Sequence, residues 1–148
     1  MKQKIKITGF TLIEVMLSMA LVVIIVITTA PSLGRFLFAQ EVPLVEDELV
    51  GSINKAKLFS LLGKNDASWG VALHSSKIIL FQGDSYATRD QSFDENFGIF
   101  GRVSLSGFTE IVFAKRTGKP TTESTIVVSG NGVIDTFVVN SEGILEQQ

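Results

Sequence analysis

Few side chains in this sequence of 148 residues are arranged to do chemistry: it has one histidine and no cysteine. His74 has no cysteine or spaced acidic pair beside it. A catalytic triad therefore lacks its partners, and a zinc site lacks the further nitrogen or sulfur ligands it needs. It reads as a surface residue at a strand end. Asp84, Asp90, Asp94 and Glu95 crowd into residues 83–98, but their spacing lacks the sixth-position glycine of an EF-hand loop. They read as a solvated acidic loop. Thr117-Gly118-Lys119 and the glycines at 98 and 101 lack the spacing of a phosphate loop and read as turns. No enzyme activity, metal or cofactor is assigned. The carboxylate that stands out is Glu14, the one acidic residue in the apolar stretch KITGFTLIEVMLSMALVVIIVITTA at 6–30. A charge inside a membrane helix costs about 2.5–3.5 kcal/mol on insertion scales and is retained when it has a partner.

The element carrying Glu14 reads as a membrane anchor. A secretory apolar region is only about 7–15 residues long and ends in a small-residue cleavage site. The uncharged run at 15–34 is 20 residues, which at about 1.5 Å per residue reaches the roughly 30 Å of a bilayer core. Lys2, Lys4 and Lys6 precede it, so the positive-inside rule puts the N-terminus in the cytoplasm and the body outside. From position 10 onward 10 basic residues face 15 acidic ones, leaving an acidic body. On these residues alone, the segment could equally be an ordinary signal anchor, with Glu14 lying among headgroups and water at the interface.

Beyond the anchor, Pro31 is expected to kink the helix without ending it, and Pro43 to mark a second break. Val45, Leu49, Ile53 and Ala56 then recur at helical spacing, with Glu46, Asp47, Asn54 and Lys55 on other faces. Gly63 ends this stem near Leu62. From Trp69 the pattern turns to short β-like runs at 69–73, 77–82, 102–105, 110–114, 124–129, 133–140 and 143–146. Asn131-Gly132 is a strong hairpin signal, because both residues tolerate positive φ. Ser141-Glu142-Gly143 is a weaker turn, and 83–98 reads as a long surface loop.

GFTLIE at 9–14 resembles the cleavage and methylation motif of type IV prepilins and type II secretion pseudopilins. The resemblance implies scission between Gly9 and Phe10 by a prepilin peptidase, N-methylation of Phe10, and an assembly role for Glu14, which would neutralise the terminal amine of a neighbouring subunit. It also implies a helix-breaking proline at Pro31. Trp69-Gly70-Val71, Ile111-Val112-Phe113 and Ile126-Val127-Val128-Ser129 before Gly132 are similar to elements of GspH/FimT-type minor pseudopilins. The implied fold is α+β and pilin-like. A long N-terminal transmembrane helix packs on an antiparallel C-terminal domain of one or two sheets. Its parts are a leader (1–9), a transmembrane and assembly helix (10–33), the outer half of that helix (34–62) and an extracytoplasmic β-rich domain (63–148).

The implied function is that of a structural subunit of a type IV pilus or type II secretion pseudopilus. Its expected partners are the prepilin peptidase, other pilins or pseudopilins, an inner-membrane assembly platform and membrane lipid. Two alternatives stand beside it. A DNA-binding minor pilin would need a basic surface. Lys115, Arg116 and Lys119 form the one basic cluster, while the C-terminal segment holds Asp135, Glu142 and Glu146, so nucleic acid is not an expected partner. A membrane-tethered binding domain that never polymerises would keep its leader uncut.

Overall fold

The computed structural model describes residues 9–99 and 101–148, without the side chains of 29–39. The segment expected to be a leader, 1–9 with Lys2, Lys4 and Lys6, lies outside the described residues apart from Gly9. The chain divides into two units, the first ending at Phe38 and the second running Ala39–Gln148.

The first unit is helix α1, Leu12–Ala39. From Leu12 to Ile27 its large apolar side chains are all exposed. The transmembrane assignment of this helix is corrected: among the described residues no helix is long and apolar enough to cross a membrane. α1 carries hydroxyls that bond back to their own helix, Ser18 to the Val15 carbonyl at 2.9 Å and Thr28 to the Ile24 carbonyl at 2.9 Å. The backbone is helical through Pro31, and the interruption falls at Gln40.

Helix α2, Glu41–Leu61, opens the second unit and is the helix packed on the sheets. Pro43 does not break it. It sits in the first turn, where the missing N–H would have had no helical partner, so the break precedes it. Val45, Leu49, Ile53 and Ala56 form the buried stripe expected from their spacing, and Val42 extends it toward the N-terminus. Gly63, at φ +60°, turns the chain out of the helix in the left-handed region that glycine adopts without strain.

Two four-stranded antiparallel sheets follow. The first has the order β3-β2-β1-β5, with β1 Trp69–His74, β2 Lys77–Gln82, β3 Asp90–Gly98 and β5 Glu110–Phe113. The second has the order β4-β6-β7-β8, with β4 Val103–Ser106, β6 Ser124–Gly130, β7 Val133–Val139 and β8 Leu145–Gln147. Asn131 and Gly132 both have positive φ and join β6 to β7 as a two-residue hairpin, with Gly130 opposite Val133.

The loop expected at 83–98 is half wrong. Residues 90–98 form edge strand β3, with Lys77 opposite Gly98 and Leu80 opposite Glu95 before the register shifts toward Asp90. An edge strand needs no apolar face on its open side, and charged residues there discourage pairing with other chains, so its sequence looks like a loop.

One core joins α2 to both sheets, with Trp69, Val71, Ile78, Leu80, Ile111 and Phe113 from the first and Val103, Ile126, Val128, Phe137 and Val139 among those from the second. Ser60 stitches the end of α2 to the first sheet: its hydroxyl donates to the Phe113 carbonyl at 2.9 Å and accepts the Trp69 N–H at 3.0 Å. Ser60→Ala should cost about 2 kcal/mol, because two buried backbone groups lose their partner. Ser52 is equally buried, but its hydroxyl has no partner, so Ser52→Ala should be neutral or stabilising. Chemical denaturation of both variants checks the contrast.

Glu46 of α2 faces Asp135 of β7. Burial raises the Glu46 carboxyl above its ordinary value of 4.5, and the nearby Asp135 and Asp47 carboxylates raise it further. A raised folded-state value means that its contribution to stability is present below the ordinary value and is lost as pH rises through the folded one. Glu46→Gln should therefore match the wild type at acid pH and exceed it at neutral pH, as a difference in thermal midpoint between the two chains across that range.

Candidate processing and assembly site

Gly9 and Phe10 lie in non-helical backbone just ahead of α1. Both are exposed, Phe10 by 81%, and a Cβ placed on Gly9 would meet nothing within 4 Å. The peptide bond between them is therefore accessible and not held in a helix, which is what an extended-chain protease site requires. Thr11 begins the helix. Its carbonyl accepts the N–H of Glu14 at 3.1 Å and of Val15 at 3.2 Å, and its hydroxyl accepts the Glu14 N–H at 3.4 Å. Thr11-Leu12-Ile13-Glu14 thus has the spacing of a helix capping box, with threonine at the cap and glutamate three residues on. That pattern was readable in the sequence and was missed, because Glu14 drew attention only as a charge in an apolar run.

Glu14 occupies the first turn of α1, where the helix dipole favours a carboxylate by about 0.3–1 kcal/mol. Among the described residues no cation pairs with it. If the chain began at Phe10, its α-amino group would be a cation at the unfavourable end of the same dipole. A carboxylate four residues away, on this chain or a neighbour, is the natural neutraliser of that charge. The structure thus brings together Gly9, Phe10 and Glu14 in one exposed segment, and places Pro31 within the same helix but outside the set.

The basic cluster and part of the acidic segment are matched within the body. Lys115 and Arg116 both pair with Asp66, at 2.5 Å and 3.0 Å, and Lys119 pairs with Glu142 at 2.8 Å. The lysine hydrogen bonds hold both carboxyls below their usual range. In the acidic segment, Asp94 pairs with Arg89 at 2.8 Å, Glu95 with Lys55 at 2.5 Å, and Asp90 accepts the Ser92 hydroxyl at 2.7 Å. Among the described residues no three metal-ligating side chains come together.

His74 is exposed at the end of β1, its ring tilted against Tyr86 at 5.2 Å. Both line a shallow cavity of about 330 Å³ with Thr109 and Glu110. Glu110 is occupied there by the Tyr86 N–H at 2.6 Å, and no activated nucleophile lines the cavity. Nothing positive points to catalysis. Compared with known protein families, curated proteins and solved structures, the chain matches none.

Proposed function

We propose that the chain is a prepilin-type structural subunit, a minor pilin or pseudopilin, cut between Gly9 and Phe10 by a prepilin peptidase and methylated on Phe10. The observation that carries this reading is the exposed Gly9-Phe10 peptide placed directly before a Thr11-capped helix whose first turn holds Glu14. Support also comes from the apolar side chains exposed on every side of α1 from Leu12 to Ile27. A surface of that kind requires cover. In this reading the corresponding helices of other subunits cover it in the assembled filament. The second unit, with its own core, decorates the shaft on the extracytoplasmic side.

Glu14 pairs with the terminal amine of an incoming neighbour, and an assembly platform in the inner membrane delivers the subunit. A nucleic-acid role is less well supported, since Lys115, Arg116 and Lys119 each already face a carboxylate. Glu14→Ala should leave cleavage intact and lower incorporation into sheared filaments by about tenfold, the change expected from losing roughly 1.4 kcal/mol of pairing. Equal incorporation of the variant and the wild type would remove Glu14 from assembly.

A further inference from the structure

Gly51 lies in the interior of α2 on its exposed face, and a Cβ placed there would meet nothing within 4 Å. A glycine inside a helix costs about 1 kcal/mol relative to alanine, and among the described residues no contact calls for one at that position. Seven residues to either side stand Leu44 and Leu58, exposed by 47% and 51%. A step of seven residues returns to the same helix face. Glu48 and Lys55 flank this stripe on one side, while Asp47 and Asn54 flank it on the other.

We infer that this face pairs with a second copy of the chain, the two α2 helices crossing antiparallel at Gly51. A two-fold axis through the crossing sets Leu44 against the partner's Leu58. It brings the Glu48 carboxylate beside the partner's Lys55 and the Asp47 carboxylate beside the partner's Asn54. The two glycines let the backbones approach closely, as small residues do at helix crossings. A parallel pair in register would instead set the Glu48 carboxylate against the partner's Asp47 carboxylate and leave Lys55 against the partner's Asn54. The antiparallel pair also opposes the two helix dipoles.

Lys55 already bonds Glu95, so in the pair its ammonium lies between two carboxylates. Beside Leu44 a recess of about 230 Å³, lined also by Glu48, Asn96, Phe97 and Gly98, leaves room for a leucine side chain of the partner. A two-fold contact closes on itself and makes a pair, not a filament, so this surface is separate from the assembly role proposed for α1.

The chain has no cysteine, which makes single-cysteine variants of the full chain, oxidised in detergent solution, a direct test. Gly51→Cys should give disulfide-linked dimer. A mixture of Leu44→Cys and Leu58→Cys should do the same, each alone giving no more than Thr88→Cys, a control at an exposed site away from α2. Glu48→Lys should weaken dimerisation about tenfold, and adding Lys55→Glu should restore it. Dimer at the control level from Gly51→Cys, or dimer from Leu44→Cys alone equal to that of the mixture, would overturn the inference. Neither result bears on whether the chain is cut after Gly9.

Discussion

Trp69→Ala is expected to destabilise the second unit by about 3–5 kcal/mol, the range for deleting a buried aromatic side chain. Trp69 is 1% exposed and sits where α2 meets the first sheet. Its ring packs edge-on against Phe59 at 4.8 Å and Phe93 at 6.2 Å, and its indole N–H donates to the Lys64 carbonyl at 3.1 Å. The Lys64 ammonium lies 3.7 Å from the centre of the Phe59 ring, which closes this corner. A loss of that size is a large share of the roughly 5–15 kcal/mol that holds a domain together. Thermal or urea unfolding of the variant measures it. A loss below about 1 kcal/mol would mean that the corner is not the anchor described, since surface changes fall in that range.

Gly9→Val is the second large effect, expected to reduce leader removal by about a hundredfold, equivalent to roughly 2.7 kcal/mol in the barrier. The open space around Gly9 shows that this chain itself tolerates a side chain there. A loss of processing would therefore come from the peptidase, whose binding slot must accept the residue, and not from misfolding. Valine also stiffens the extended backbone ahead of Thr11. Immunoblots of wild type and variant, co-expressed with the peptidase, report the ratio of uncut to cut chain. Equal processing would show that the position does not need glycine.

Much of the second unit was legible because its residues obey simple periods. Val45, Leu49, Ile53 and Ala56 fall on one helical stripe, and all four are buried. Asn131-Gly132 could be read because its chemistry serves a single kind of turn. Residues 90–98 could not, since an edge strand with one open side can be built from Asp90, Asp94 and Glu95 and still pair with β2. The break at Gln40 was assigned to Pro43 instead, because proline interrupts helices in general but is accepted in a first turn.

The N-terminal segment was read from its hydropathy, and that carried the transmembrane assignment too far. Of the candidate site, Gly9, Phe10 and Glu14 were legible as a motif. The hydrogen bond from the Glu14 N–H to the Thr11 hydroxyl was missed, although threonine and glutamate stood at the required spacing. Ser60 was also missed, because its two partners, Phe113 and Trp69, come together only when helix and sheet pack.

The most direct measurement is the mass of the N-terminus of the full chain expressed with and without a prepilin peptidase. Loss of residues 1–9 and a methyl group on Phe10, seen only when the peptidase is present, is the predicted result. A chain that keeps residues 1–9, or is cut at another bond, would contradict the proposed function.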